Sequence, residues 1–265
     1  DLENLPPYQQ HLEPLEEMAA TGRRVILYDQ LGCGNSDHPH DPSLWTVPLF
    51  VEEVSAVRHA LGLEQVHLLG QSWGGMLGME YALTQPTGLG SLIVADSPAS
   101  MPQWVAEANR LRAELPPEVQ QTLVQHEAAG TTDNPAYQEA MMVFYRRHVC
   151  RRDPWPECLL RMFAKLAHDP EVYHTLNGPS EFHVIGTLKD WSIVDRLSEI
   201  RVPTLLLSGR YDDATPAIVE TTHRGIPGAK WVLFEQSSHT PHLEEPERFM
   251  HVLRDFLNHV EEKAR

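Results

Sequence analysis

The sequence has few cysteines, only three in 265 residues, and Cys33, Cys150 and Cys158 are widely scattered. Three scattered thiols cannot build the disulfide framework that stabilises many small secreted proteins. We therefore expect free thiols in a reducing compartment, which places the protein in the cytoplasm.

The chain also lacks a long apolar run and an excess of basic residues. No segment approaches the length of a membrane span, and the first residues do not resemble a signal peptide. Lys and Arg number 21 against 37 Asp and Glu, a formal net charge of −16. This charge argues against nucleic acid as a partner and is compatible with a cationic substrate. With 42% hydrophobic and 22% charged residues, the composition predicts a soluble globular protein without a membrane partner.

Short apolar runs alternate with helical patterns in the first hundred residues. Strands are predicted over “RRVILYD” (23–29), “VHLLG” (66–70) and “SLIVADSP” (91–98). Apolar residues at helical spacing lie between them, in “FVEEVSAVRHALGL” (50–63) and “GMLGMEYALTQP” (75–86). This alternation predicts an α/β fold with a mostly parallel sheet that helices cover on both faces.

A long helical segment interrupts this pattern. Residues 97–201 contain no convincing strand, and the segment is much longer than a strand-to-strand crossover needs. Strands return in “VPTLLLSG” and “KWVLFEQ”, and the amphipathic helix “PERFMHVLRDFLNHV” follows them. We predict an α/β core formed by residues 1–96 and 202–265, with a helical cap, residues 97–201, inserted after the third visible strand.

The segment Gly70-Gln71-Ser72-Trp73-Gly74 matches the pattern G-x-S-x-G between a predicted strand and a predicted helix. A serine at this position lies on a strained turn that exposes its hydroxyl, and small neighbours let strand and helix approach. The helix N-terminus directs its N–H groups at the same place. A serine that merely caps the helix is the alternative. The strand–turn–helix context favours a nucleophile.

A serine nucleophile needs a base and an orienting acid, which after such a turn follow in the order Ser, Asp or Glu, His. Asp212 and Asp213 come directly after one later strand, and His239 and His242 lie in the loop after the next. Asp212 and His239 are preferred because each is nearer to its strand. Asp96 is a weaker candidate for the acid, since its position before Pro98 is typical of a helix or loop cap.

Six segments together resemble the proline iminopeptidase family of α/β-hydrolase serine peptidases, from about Arg23 to the C-terminus. They are “YDQLGCGNSD”, “LLGQSWGGMLG”, “NGPSEF”, “GTLKDW”, “SGRYDDATP” and “SSHTPHLEEP”. The resemblance implies an α/β-hydrolase fold with an eight-stranded core and a helical cap. It also implies release of an N-terminal amino acid, proline or another residue, from short peptides or amino acid amides. No motif predicts a cofactor or a metal site.

The same resemblance assigns roles to individual residues. Ser72 is the expected nucleophile, Asp212 the acid and His239 the base, and the backbone N–H of Trp73 is one oxyanion donor. In the family, acidic residues hold the free amino group of the substrate. Glu181 and Asp213 match those positions, and Tyr173 matches an aromatic hydroxyl that assists. Asp213 is one carbon shorter than the glutamate of the family pattern.

Other interpretations of these residues remain. Glu181 alone is more typical of a solvated helix residue or a salt-bridge partner. Another serine hydrolase, such as an esterase or a carbon–carbon bond hydrolase, is the second function, and its pocket would be apolar. A non-catalytic binding protein is the third, although it need not keep Ser72, Asp212 and His239. An epoxide hydrolase or a dehalogenase is excluded, because it needs a carboxylate at position 72.

One strand of this fold is missing from the sequence pattern. In the fold, a strand lies between “RRVILYD” and “VHLLG”, followed by a loop such as His-Gly-Gly-Pro-Gly that donates the second oxyanion N–H. Residues 1–22 are polar and then helical, so they cannot supply it. We expect that the natural protein begins tens of residues earlier, and that the structure shows a gap of one strand width or another segment there.

Overall fold

The computed structural model describes the backbone of residues 7–264 and the side chains of residues 11–263. Within these residues the sheet consists of four parallel strands. In spatial order they are β1 (Val66–Gln71), β2 (Leu89–Ala95), β3 (Thr204–Gly209) and β4 (Lys230–Phe234). Each strand pairs in parallel with the next. All four coincide with apolar runs that were predicted to be strands, and their parallel arrangement confirms the predicted class of fold.

Helices fill the connections between the strands. Side-chain caps start several of them. Thr46, Ser100 and Asn134 each accept a hydrogen bond from a backbone N–H in the first turn of the helix that follows. The helices are α1 (Val47–Ala60), α2 (Trp73–Leu83), α3 (Met101–Arg112), α4 (Pro117–Ala129), α5 (Pro135–His148), α6 (Glu157–His168), α7 (Glu171–Leu176), α8 (Pro216–Gly225), α9 (Pro241–Glu244) and α10 (Pro246–Ala264). Within residues 7–264, three 3₁₀ segments accompany them, Pro7–Thr21, Pro42–Leu44 and Val194–Glu199. Among residues 7–264, no helix combines the length and the apolarity needed to cross a bilayer.

The two faces of the sheet pack into different apolar cores. Alternate residues of a strand point to opposite faces, and Leu92 and Val94 of β2 belong to one core while Ile93 and Ala95 belong to the other. The first core includes α2 and the helices between β2 and β3, and the second includes α10 and the 3₁₀ segment Pro7–Thr21. Burial on both faces explains why β2 and β3 are largely apolar.

Helices α3 to α7 lie between β2 and β3, where the sequence predicts a helical cap. The described part of this segment holds only isolated bridges, Ser100 with Ser192 and Ser180 with His183. The segment contains no strand in the range 97–201. The division of the chain into a core and a cap stays a prediction, and this composition is consistent with it.

The predicted strand “RRVILYD” is wrong, because residues 23–29 belong to no strand or helix. This segment and β1 line the same cavity of about 910 Å³, to which Val25, Leu27, Leu68 and Leu69 contribute. A strand needs a partner for its backbone groups, and β1 pairs only with β2 in the described sheet. The expected gap of one strand width stays a prediction, and the described residues form four strands where the resemblance implies eight. That the natural protein begins earlier stays a prediction.

Candidate active site

Ser72 occupies a strained turn between β1 and α2. Its φ of 55° and ψ of −121° lie in a region that residues other than glycine rarely adopt. The backbone N–H of Ser72 donates to the carbonyl oxygen of Ala95 on β2 at 2.9 Å, which fixes the turn against the sheet. The Ser72 side chain forms no capping hydrogen bond with α2, so the helix-cap interpretation is wrong. Ser72 instead lines the cavity.

Close packing around this turn depends on Gly70 and Gly75. A Cβ atom on Gly70 would overlap the carbonyl oxygen of Gly74, and one on Gly75 would overlap the hydroxyl of Ser97. A Cβ atom on Gly74 would meet nothing within 4 Å. The two glycines of the G-x-S-x-G pattern are therefore not equivalent. Gly75, which lies outside the pattern, was missed by the sequence analysis.

We expect Gly70→Ala to lower the thermal midpoint strongly and to abolish activity, because the backbone of the Ser72 turn must move to accept the methyl group. An overpacked site of this kind typically costs about 1–3 kcal/mol. Gly74→Ala is the matched control and should keep both properties, since the added Cβ occupies open space in a helix that favours alanine. Differential scanning fluorimetry and a kinetic assay measure both. Equal effects of the two substitutions would contradict this account of the turn.

The N-terminus of α2 lies beside Ser72. The first N–H groups of a helix have no partner within the helix and carry partial positive charge. The backbone N–H of Trp73 is the first of these, which makes it suited to stabilise a negatively charged oxygen. The Trp73 side chain is fixed separately: its indole Nε1 donates to Oε1 of Gln30 at 3.0 Å, and its ring meets Phe50 edge-on.

The structure brings Asp212 and His239 together at the ends of β3 and β4. The Nδ1 atom of His239 lies 2.7 Å from Oδ1 of Asp212 and 3.0 Å from Oδ1 of Asp213. The backbone N–H of Ala214 donates to Oδ1 of Asp212 at 2.8 Å and orients that carboxylate. All three side chains are buried. Two negative charges therefore face one nitrogen of the imidazole, and its Nε2 has no hydrogen-bond partner among the described residues.

The charges in this cluster shift one another's pKa values. Burial by itself would lower the pKa of His239, but the carboxylates of Asp212 and Asp213 outweigh it and raise this pKa well above its usual value. Burial would likewise raise the pKa of Asp212, yet the charge and hydrogen bond of His239 hold it below the usual value. The carboxylates thus stabilise a positive charge on His239, as a base that accepts a serine proton requires.

His148 of α5 ties the two strand-end loops together, a contact that the sequence analysis missed. Its carbonyl oxygen accepts from the backbone N–H of His239 at 3.1 Å, and its ring Nδ1 lies 2.8 Å from the carbonyl oxygen of Tyr211. The three residues are far apart in sequence, so no local pattern points to this arrangement. A helix of the predicted cap thereby supports the geometry of the acid and the base.

The two alternative candidates lie in different surroundings. His242 contacts the rings of His11 and Phe249, and burial lowers its pKa well below the usual value, so it stays neutral. Asp96 was expected to be a cap, and this interpretation is wrong, because Ser100 caps the next helix. The carboxyl group of Asp96 is instead fully buried, and its Oδ1 accepts from the backbone N–H of Gly209 at 3.2 Å.

Glu181 and Tyr173 form an acidic corner of the same cavity. The Tyr173 hydroxyl donates to Oε1 of Glu181 at 2.9 Å and accepts from Nδ2 of Asn177 at 3.2 Å. The backbone of Glu181 is held from both sides: Trp104 Nε1 donates to its carbonyl oxygen at 2.6 Å, and its N–H donates to the hydroxyl of Tyr145 at 3.1 Å. Glu181 is therefore fixed in place, in contrast to a solvated helix residue.

The carboxyl groups of Glu181, which lines this cavity, and of Asp213, beside His239, have raised pKa values. Burial, together with the charge of Asp213, raises the pKa of Glu181 to about 7. Burial also raises the pKa of Asp213 to about 6, although His239 opposes the shift. No arginine or lysine among residues 11–263 forms an ion pair with either carboxyl group, and the cation that acts on both is His239, 3.0 Å from Asp213.

Asp212, Asp213 and His239 are also the group of described residues that could hold a metal ion, since one ligand atom of each lies within 4.8 Å of the others. The short contact between His239 Nδ1 and Asp212 is that of a hydrogen bond, which uses the nitrogen nearest to both carboxylates. The prediction that no metal or cofactor is needed stays a prediction.

A parallel sheet covered by helices on both faces, with a strained serine turn after one strand, is the architecture of an α/β-hydrolase. Residues 8–246 match the family model described as the alpha/beta hydrolase fold. The chain is 42% identical over 241 residues to a proline iminopeptidase of Heyndrickxia coagulans. The aligned residues cover 91% of this chain and 83% of that relative. The chain belongs to the proline iminopeptidase family of α/β-hydrolases, as the sequence motifs indicated.

Solved structures agree with this assignment. The chain is similar to the crystal structure of VinJ, at 49% identity and a TM-score of 0.93, over 97% of this chain and 88% of that one. It is also similar to a proline iminopeptidase of Mycobacterium smegmatis, at 47% identity and a TM-score of 0.89, over 97% and 87% of the two chains. These similarities identify the chain as a hydrolase.

Proposed function

We propose that the protein is a serine aminopeptidase that releases the first residue of short peptides or amino acid amides through an acyl-enzyme. The Ser72 hydroxyl attacks the first carbonyl while His239 takes its proton and then passes it to the leaving amine. Asp212 stabilises the imidazolium, and the Trp73 N–H stabilises the oxyanion. Water then hydrolyses the ester on Ser72 and releases the free amino acid.

The two carboxyl groups of Glu181 and Asp213 are the observation that favours an aminopeptidase over an esterase. A carboxylate removed from water is unfavourable unless a positive charge compensates it. Among residues 11–263 no arginine or lysine forms an ion pair with Glu181 or Asp213, and His239 is the cation beside Asp213. A substrate ammonium supplies a compensating charge. Its binding close to His239 places the carbonyl of the first residue near the base. Tyr173, through its hydrogen bond, orients Glu181 for this contact.

The helical segment 97–201 is proposed to form a roof that admits short chains. Met101, Trp104, Phe163 and Glu181 of this segment line the same cavity as Ser72. The proposed substrates are small peptides or amides, without nucleic acid or membrane as a partner. Three unpaired cysteines support a reducing, cytoplasmic compartment.

Glu181→Gln is expected to lower kcat/KM on alanyl- and prolyl-p-nitroanilide by tenfold or more. The reason is that a charge-assisted contact with the ammonium contributes about 1.5–3 kcal/mol. Hydrolysis of p-nitrophenyl acetate, which has no ammonium, should change much less. Glu118→Gln is the matched control, since it removes the same charge from an exposed position of α4. Equal losses of Glu181→Gln on both kinds of substrate would indicate a folding role instead.

The pH dependence provides a second test of the acidic corner. Below pH 7, protons compete with the substrate ammonium for Glu181, whose pKa is about 7 in the free protein. The kcat/KM for free-amine substrates should therefore fall earlier on the acid side than that for p-nitrophenyl acetate. The difference between the two profiles should shrink in Glu181→Gln. Superimposable profiles in the wild-type protein would contradict the proposed contact.

A further inference from the structure

Trp104 of α3 contacts both the proposed ammonium ligand and the base. Its indole Nε1 donates to the carbonyl oxygen of Glu181 at 2.6 Å. Its ring meets the imidazole of His239 edge-on, with ring centroids 6.1 Å apart and an angle of 76° between the ring planes. Trp104 is buried, and all three residues line the cavity that Ser72 also lines. One side chain therefore connects two parts of the site that must act on the same substrate residue.

Helix α3 is itself fixed to the segment that carries the acid. The helix begins a few residues after the end of β2. Oε2 of Glu107 accepts from the hydroxyl of Thr215 at 2.9 Å, in the loop that follows β3. Nε2 of Gln103 donates to the hydroxyl of Thr221 on α8 at 2.8 Å. Because both contacts join α3 to the chain after β3, the indole of Trp104 projects from a fixed support.

Glu181 needs outside support because it lies in a turn. The isolated bridge between Ser180 and His183 bounds this turn, and Glu181 belongs to no helix or strand. A turn residue lacks the repeated backbone hydrogen bonds of a helix, so other groups must satisfy its backbone. Tyr145 satisfies its N–H and Trp104 its carbonyl oxygen. The indole N–H is the only polar group of Trp104, so this bond is the one directional contact that its side chain makes.

We propose that Trp104 is a positioning residue for the reaction: it sets the distance between the Glu181 carboxylate, which binds the substrate ammonium, and the imidazole of His239. This inference rests on the proposed aminopeptidase function. The amino group and the carbonyl of a substrate's first residue are separated by a single carbon atom, so the ammonium ligand and the base must keep one spacing. Trp104 holds the first by a hydrogen bond and the second by ring packing.

Trp104→Phe tests the hydrogen bond, because phenylalanine keeps an aromatic ring and removes the N–H. The ratio of kcat/KM on alanyl-p-nitroanilide to that on p-nitrophenyl acetate should fall about three- to tenfold, the effect of one lost hydrogen bond. Partial unfolding lowers both rates alike and leaves this ratio unchanged. Trp191→Phe is the matched control, since it removes an indole N–H bound to Glu80, outside the proposed site. An unchanged ratio in Trp104→Phe, or an equal fall in both variants, would overturn the proposal.

A double-mutant cycle tests whether Trp104 acts through Glu181. In the Glu181→Gln background, Trp104→Phe should lower the ratio by much less than it does in the wild-type protein, because the contact that it positions is already weakened. Fully additive losses would overturn the proposal. The benzothienyl analogue of tryptophan, incorporated at position 104, keeps the shape of the indole and lacks the N–H. It should lower the ratio as Trp104→Phe does, even if the phenylalanine variant does not fold, and an unchanged ratio would contradict the proposed role.

Trp104→Leu tests the ring packing against His239. Leucine removes the ring together with the N–H, so kcat on p-nitrophenyl acetate, per active site titrated with a fluorophosphonate, should be about threefold or more below that of Trp104→Phe. Equal values would overturn the proposal, because Trp104 would then act on one half of the site.

The wild-type protein separates these outcomes from the proposed function. If it hydrolyses N-acetylalanyl-p-nitroanilide as well as alanyl-p-nitroanilide, the aminopeptidase function fails. If it prefers the free amine and the Trp104 variants keep the wild-type ratio, the role of Trp104 alone fails.

Discussion

Ser72→Ala is expected to lower kcat by about 10⁴–10⁶-fold on every substrate that the protein hydrolyses, because no covalent intermediate can form without the hydroxyl. Substrate binding should change little, since the ammonium contacts are elsewhere in the cavity. Intact-mass spectrometry after treatment with a serine-directed fluorophosphonate gives the most direct readout. The wild-type protein should gain a single adduct, and Ser72→Ala should gain none.

Ser97→Ala is the control for this experiment. The hydroxyl of Ser97 donates to the carbonyl oxygen of Ser72 at 2.7 Å and therefore lies beside the turn. It is buried, so its loss should leave the adduct in place. Labelling that persists in Ser72→Ala and disappears in Ser97→Ala would show that the nucleophile has been assigned to the wrong residue.

Asp212→Asn is expected to have the second largest effect, a loss of about 10⁴-fold in kcat. The Nδ1 atom of His239 lies 2.7 Å from the Asp212 carboxylate. Replacing that carboxylate with an amide removes the negative charge that stabilises the imidazolium and favours the wrong tautomer of the ring. Amide and ester substrates should lose activity to a similar extent, because both use the same base.

Asp213→Asn separates the two carboxylates that face His239. Asp213 is 3.0 Å from Nδ1 of His239, only slightly farther than Asp212. We nevertheless expect its loss to raise KM for free-amine substrates more than it lowers kcat, because its proposed partner is the substrate ammonium. Kinetics on alanyl-p-nitroanilide and p-nitrophenyl acetate distinguish these effects. If Asp213→Asn abolished kcat and Asp212→Asn did not, the roles of acid and ammonium ligand would be reversed.

Much of the fold could be predicted from the sequence, because each strand contains adjacent apolar side chains. β2 and β3 are buried along nearly their whole length, whereas most residues of β1 and β4 are half-buried. The order of Ser72, Asp212 and His239 then followed from the edge that the carboxyl ends of parallel strands share. The strand “RRVILYD” could not be judged in this way, since a β-strand depends on a partner that local pattern does not reveal.

Contacts between distant segments account for what the sequence analysis missed. The support of His148 for the loops of Tyr211 and His239 links residues far apart in the chain. Gly75 is needed because of Ser97, which lies on a different strand end. Asp96 was named as a weaker candidate for the acid, since it follows its strand directly, as Asp212 nearly does. A strand end predicts a place at the shared edge of the sheet, and only the coordinates show that the Asp96 carboxyl is buried and bound to the backbone N–H of Gly209.

Glu181 shows a different limit of the sequence analysis. Its position in the helical segment between β2 and β3 suggested a surface residue, and only the resemblance to a family pointed to substrate binding. Its backbone contacts with Trp104 and Tyr145 and its side-chain contact with Tyr173 hold it in the cavity. None of these contacts follows from periodicity, because they join separate helices and loops.

The most direct test of the account is whether hydrolysis requires a free amino group next to the scissile bond. The kcat/KM of prolyl-, alanyl- and leucyl-p-nitroanilide should be compared with that of the N-acetylated form of each. Because two carboxylates bind one ammonium, we expect kcat/KM to be about 100-fold or more higher for the free amines. Ser72→Ala should abolish the hydrolysis of both forms. Cleavage of the N-acetylated compounds at an equal or higher rate would contradict the assignment of an aminopeptidase and would favour another hydrolase of this fold.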